Sequence, residues 1–203
     1  MTEQVYVFAL EAKFCKFESY QGYQNRSIIK GQMKYSLERS RIKTGDALFF
    51  SGGNWKSWYG IQIMLVRMFK PSKFSHVGMA WVANNRVFIM EAVGSGVRLF
   101  PLSQDLPANY ISRPTELSEE ALEYAFGKLG VKYPAKWKMF FNKGLGSKFD
   151  LDGRMDCSDF FLAILDSDNE VLQCAADPSS ICDELMNRWG ALISLEKDPI
   201  KGL

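Results

Sequence analysis

His76 is the only histidine in the 203-residue chain, so any imidazole chemistry must run through it. It opens an apolar run, Phe74-Ser75-His76-Val77-Gly78, and a second run, Val87 to Ala92, follows after Asn84-Asn85. Asparagine tolerates positive φ, which suits this pair to a two-residue hairpin loop. That loop sets Ala83 opposite Arg86, Gly78 opposite Glu91 and His76 opposite Val93. Side chains alternate with period two, so His76 and Glu91 share one face as diagonal neighbours, roughly 7 Å apart at the backbone. Glu91 is flanked by Ile89, Met90, Ala92 and Val93, an apolar setting in which a carboxylate needs a partner. A carboxylate on one ring nitrogen fixes the tautomer and favours the imidazolium. A one-residue error in the loop would set the two groups on opposite faces.

Cys157 is the second component. Counting three, four and seven on from it gives Phe160, Phe161 and Ile164, so the thiol shares the apolar face of a helix that it begins. Unsatisfied N–H groups and the helix dipole favour a thiolate there, as an adjacent imidazolium would. Asp156 and Asp159 act the other way unless Asp156 caps the helix and points outward. Taken alone, a cysteine in this position is more often an inert core residue. Cys15, Cys174 and Cys182 complete the set, with no Cys-x-x-Cys pair and one histidine, a poor basis for zinc. No metal and no cofactor is expected. Four reduced thiols fit a reducing compartment.

These residues need elements to hold them. Gly45-Asp46 turns into a buried strand over Ala47 to Phe50, and Ser51-Gly52-Gly53-Asn54 ends it. Trp58, Ile61, Met64, Leu65 and Met68 fall at helical steps before Pro71. After the hairpin strands, Gly94-Ser95-Gly96 leads into Val97 to Phe100, and a further strand is expected over Tyr110 to Arg113. Ser118 caps a helix whose stripe is Leu122, Ala125, Phe126 and Leu129. The Cys157 helix runs to about Leu165, Asp177-Pro178 opens another with Ile181, Leu185 and Trp189 on one face, and Ala191 to Leu195 forms a last strand. The whole reads as an α+β domain: an antiparallel sheet with helices segregated around it. Residues 1–44 are read as an N-terminal extension packed on a domain spanning 45–203. Within it Val5 to Leu10 suits a strand, and Ile28, Ile29, Met33 and Leu37 recur at helical spacing.

Composition narrows the function classes. With 47% hydrophobic and 24% charged residues the chain is not disordered, and 25 Lys+Arg against 23 Asp+Glu leaves a formal charge of only +2. That near-balance gives little pull toward nucleic acid, and no nucleic-acid partner is expected. The apolar stretch near Ile61 is broken by Gln62, Arg67 and Lys70, too soon to span a bilayer. Met1 to Gln4 carry no basic segment and Val5 to Leu10 is short for a secretory signal, so a cytoplasmic protein is expected. A viral or phage origin is compatible with that. Lys132, Lys136, Lys138, Lys143 and Lys148 interleave with Tyr133, Trp137, Phe140 and Phe141. Such a stretch could meet lipid headgroups peripherally, though a solvated helix with an apolar side is the commoner explanation. Asp150-x-Asp152 and Asp166-x-Asp168 lack the glycine and glutamate of a calcium loop and read as turn and cap residues.

Gly45-Asp46-Ala47-Leu48-Phe49-Phe50, Ser75-His76-Val77-Gly78, Met90-Glu91-Ala92 with Gly96-Val97-Arg98, and Cys157-Ser158-Asp159 together resemble the circularly permuted, papain-like YiiX group of the NlpC-type cysteine peptidase superfamily. Arg113, Lys132-Tyr133 and Asp177-Pro178 also fit that layout, and the similarity runs from about residue 45 to 190. The resemblance implies a permuted papain-like fold, an antiparallel sheet or half-barrel packed by helices. It also implies Cys157 as nucleophile, His76 as general base and Glu91 as the group orienting it. His76 precedes Cys157 here, the reverse of unpermuted relatives, but such a site is defined by geometry rather than chain order. The implied activity is a thiol hydrolase of the peptidase or amidase type, working through a thioester acyl-enzyme on a peptide- or acyl-containing substrate. The backbone N–H of Cys157 is a candidate oxyanion donor, and Trp55, Tyr59 and Tyr133 are candidates to line the substrate groove.

This chain departs from the group in two places: Asp159 stands where glutamate is common, and Tyr133-Pro134 where Tyr-Asp is frequent. Two other readings compete. Lecithin:retinol acyltransferase relatives, which act on lipid acyl groups, share the Gly-Asp and His strands but usually have histidine at the position of Glu91. A non-catalytic binding module on the same fold is the other. The sequence leaves the natural substrate and the oligomeric state open.

Overall fold

A hairpin closes in two residues only if both accept the left-handed region, and Asn84 and Asn85 do so with φ of 49° and 59°. The pair sits in a computed structural model that describes residues 33–51, 73–133 and 154–198. In chain order the elements are β1 (Met33–Lys34), α1 (Tyr35–Glu38), β2 (Ala47–Phe50), β3 (His76–Ala83), β4 (Arg86–Val93), β5 (Gly96–Pro101), a 3-10 turn (Leu102–Gln104), β6 (Ala108–Ile111), α2 (Glu119–Gly127), α3 (Cys157–Ser167), α4 (Pro178–Arg188) and β7 (Leu192–Glu196). The strands form one seven-stranded sheet in the order β1-β7-β6-β2-β3-β4-β5. The architecture is therefore mixed α+β. Its pairings are antiparallel except for the edge pair β1–β7, which is parallel.

Period-two alternation sorts the strand residues onto two cores. On one face Val77, Met79, Met90, Ala92 and Val97 pack with Phe160, Phe161, Ile164 and Leu165 of α3, Ala121 and Ala125 of α2, and Ile181 and Leu185 of α4. On the other Leu48, Phe50, Ala80, Ile89 and Tyr110 pack with Tyr35, Ile42 and Leu102. Full burial of each large side chain is worth roughly 1.5–3 kcal/mol, so α3 is held chiefly by its Phe160, Phe161 and Ile164 stripe.

Two expectations shift. The strand expected over 110–113 lies at Ala108–Ile111, because Ser112 and Arg113 leave the ladder to bond Asp46. The helical stripe through Met33 and Leu37 does not hold: Met33 is in β1, and Leu37 is 70% exposed on a single helical turn that buries Tyr35 and Glu38. Ile28, Ile29, the Val5 to Leu10 strand and the Trp58 to Met68 helix lie outside the described residues.

Asp46, the second residue of the Gly-Asp turn, is fully buried. Its Oδ2 accepts from the Lys43 N–H at 2.9 Å; its Oδ1 accepts from the Arg113 N–H at 2.9 Å and Ser112 Oγ at 3.2 Å. Burial raises its pKa while these donors oppose the rise. The carboxylate therefore braces the start of β2 against the end of β6. Arg113, itself buried, pairs through Nη2 with Asp168 and with Glu170 Oε2 at 3.0 Å, and Glu170 Oε1 accepts from Trp189 Nε1 at 2.7 Å. This network ties β6 to the ends of α3 and α4.

Candidate active site

β3 and β4 pair in the register Ala83↔Arg86 through Met79↔Met90, which carries Gly78 opposite Glu91 when extended. His76 and Glu91 consequently project from the same face. The imidazole Nε2 lies 2.6 Å from Glu91 Oε2, with the His76 side chain 14% exposed and that of Glu91 1%. Glycine at 78 makes this closeness possible: a Cβ there would stand 2.7 Å from Ile89 Cγ2, 3.1 Å from the Met90 carbonyl oxygen and 3.4 Å from Glu91 Cβ. The Phe50 ring tilts toward the imidazole with centroids 5.6 Å apart.

The thiol belongs to the first residue of α3. Asp156 caps that helix, its Oδ1 accepting from the Ser158 and Asp159 N–H groups at 2.9 Å each, while Asp159 Oδ2 accepts from the Asp156 N–H at 3.4 Å. Both carboxylates thus take part in the capping box. With the Phe160 N–H bonded to the Asp156 carbonyl, the Cys157 N–H is left in the first turn without an acceptor among the described residues. Cys157 is buried, and its thiol lies near enough to the imidazole to act on the His76 pKa. Since Nε2 is engaged by Glu91, Nδ1 is the ring nitrogen left for the sulfur. Cys157 and His76 are each the first residue of their element.

The electrostatics follow from that geometry. Burial alone would lower the His76 pKa, but the bonds and charges of Cys157 and Glu91 override it and raise it to about 10. Burial likewise would raise Glu91, yet His76 and Arg98 hold its carboxyl below the usual range. Arg98 belongs to the Gly96-Val97-Arg98 stretch of β5. It stands directly opposite Glu91 in the β4–β5 ladder, and its Nε and Nη2 reach Glu91 Oε1 at 2.8 and 2.7 Å. The Gly94-Ser95 turn carried the signal: applying the same two-residue loop count to the second hairpin pairs residue 91 with residue 98.

The expected site residues divide. His76 and Glu91 come together, and Cys157 stands near enough to His76 to act on its pKa. Tyr133 is partly buried against the core that contains Cys157, and the carbonyl of its neighbour Lys132 accepts from the Met155 N–H at 3.3 Å, close to the start of α3. Trp55 and Tyr59 lie outside the described residues, as do Lys136, Lys138, Lys143 and Lys148. Cys182 is buried, and burial pushes its thiol up to about 12; Cys174 is half-buried. Among the described residues there is no group of three or more His, Cys, Asp or Glu side chains arranged to hold a metal ion, and no helix is long and apolar enough to cross a membrane.

No family model matches the chain, and no curated protein matches it. Among solved structures, the metalloprotein yiiX from Escherichia coli O157:H7, a DUF1105 protein, is similar with a TM-score of 0.46 and 20% identity over 75% of this chain and 88% of that one. A likeness at that level fixes neither a site nor a chemistry.

Proposed function

We propose that the chain is a cysteine hydrolase of the peptidase or amidase type, with Cys157 as nucleophile, His76 as general base and Glu91 as the group that orients the ring, on a permuted papain-like fold. The observation that carries this reading is the single histidine bonded on Nε2 by a buried carboxylate at 2.6 Å, with the buried thiol that starts α3 close enough to act on the same ring. A core cysteine needs neither partner. In the proposed reaction His76 takes the Cys157 proton and the sulfur adds to the substrate carbonyl. The Cys157 N–H bonds the resulting oxyanion. The C–N bond then breaks, and the leaving amine carries away the proton from His76. Water, deprotonated by the same imidazole, attacks the thioester, releasing the acid and restoring the thiol.

The test is a product screen with purified full-length protein on acyl-peptides, muropeptides and phospholipid vesicles. Mass spectrometry identifies the cleaved bond and any acyl adduct on Cys157, with Cys157→Ala as control. Amide cleavage dependent on Cys157 supports the proposal. Ester cleavage of phospholipid alone replaces it with lipid acyl chemistry. No turnover and no adduct on any of the three leaves a binding module.

A further inference from the structure

Glu91 can orient the imidazole only if it stays ionised and keeps one oxygen aimed at Nε2, and its burial works against both. Its surroundings answer this asymmetrically. Oε1 is taken by Nε and Nη2 of Arg98 at 2.8 and 2.7 Å, while Oε2 alone faces His76. The Arg98 side chain is 41% exposed and its guanidinium lies over the Phe100 ring, 4.4 Å from its centroid, so the arginine is steadied from the same strand. We propose that Arg98 is a positioning residue of the site: it occupies Oε1 with two donors on one oxygen, keeps Glu91 charged, and leaves Oε2 as the acceptor for His76. This rests on the triad reading above and adds the group that sets its acid.

Among the described residues, the titratable and charged groups facing Glu91 and His76 are Arg98 from β5, Cys157 from α3, and Asp105, which follows the 3-10 turn and interacts with Glu91, His76 and Arg98. Asp105 and Glu91 repel, and His76 and Arg98 together offset both. Removing it takes an opposite charge from Glu91, and an opposite charge within 4–6 Å ordinarily lowers a carboxyl pKa by 1–3 units. Partial exposure of the guanidinium reduces that, so the acid edge of the His76–Glu91 bond should move upward by about one pH unit.

Histidine-selective 15N labelling reads this bond without substrate, because His76 is the only histidine. A short N–H to carboxylate bond gives a far-downfield proton, and the pH at which it vanishes on acidification reports protonation of Glu91. In full-length Cys157→Ser protein, used to remove the thiol's own titration, Arg98→Gln should raise that pH by about one unit, Arg98→Lys should restore most of it, and Asp105→Asn should leave Arg98 dependence intact. An unchanged vanishing pH in Arg98→Gln overturns the proposal, as does failure of lysine to restore it, which would mean packing rather than charge. Should Arg98→Gln not fold, Arg98→Met takes its place: a vanishing pH raised by about one unit supports the proposal, and one identical with the parent overturns it. Absence of the downfield proton at every pH in the parent sinks the triad itself, whereas absence of hydrolysis with the proton present and Arg98-dependent sinks only the enzymatic reading.

Discussion

Replacing Glu91 by glutamine keeps the shape and removes the charge, so its cost isolates what the carboxylate does. Glu91 accepts from His76 at 2.6 Å and from Arg98 at 2.8 and 2.7 Å while 1% exposed. A hydrogen bond to a charged partner contributes about 1.5–3 kcal/mol when buried, and the Arg98 share falls below about 1 kcal/mol because that side chain is 41% exposed. The expected loss at pH 7 is about 2–3 kcal/mol. Its pH dependence has a fixed sign. Glu91 is held below its ordinary 4.5, so its contribution is present above that value and fades as pH falls through the lowered native pKa. His76 is raised from 6.5 to about 10, so its contribution is complete below 6.5 and fades as pH rises through about 10. Urea unfolding followed by tryptophan fluorescence, with midpoint and slope read from pH 2 to 10, should give a wild-type minus Glu91→Gln gap that is widest between those limits. A gap under about 0.5 kcal/mol at pH 7, or one of constant size across the range, would refute the reasoning.

Gly78→Ala should lower stability by about 1–3 kcal/mol, because the added Cβ meets the branched Ile89 side chain at 2.7 Å and a backbone oxygen at 3.1 Å; thermal unfolding checks this, and an unchanged Tm contradicts it. Asp156→Ala should cost about 0.5–2 kcal/mol by uncapping α3 and should also slow alkylation of Cys157, whereas an equal rate would mean that the cap does not place the thiol. Phe161→Ala should cost about 3–5 kcal/mol in urea unfolding, since the ring is fully buried between α3 and the sheet; a loss below about 1 kcal/mol would show that α3 is held by something else.

Much of this arrangement was legible in the residues themselves because the hairpin loops are tight. Two asparagines between apolar runs fix β3 against β4, and once the loop length is set, period two decides which side chains meet; His76 and Glu91 followed from that count. The same count over Gly94-Ser95 would have found Arg98, but an arginine at a strand edge looks like an ordinary solvated charge until its partner's burial is known. Helix starts were equally readable, since Ser118, Asp156 and Asp177 each cap their own helix. Long-range pairings were not. Nothing in the spacing of residues 33–34 indicates a parallel pairing with residues 195–196, and the Asp46 and Arg113 networks join segments more than 50 residues apart. Met33 and Leu37 misled because helical spacing in a short segment says nothing about which side faces a core.

The most direct test of the central claim is the pH dependence of thiol alkylation, mapped by peptide in the intact folded protein. Cys157 should react with iodoacetamide at pH 6 at least about tenfold faster than Cys174, with Cys182 silent, and His76→Ala should abolish that advantage. Equal rates at Cys157 and Cys174, or a Cys157 rate indifferent to His76→Ala, would contradict a working pair.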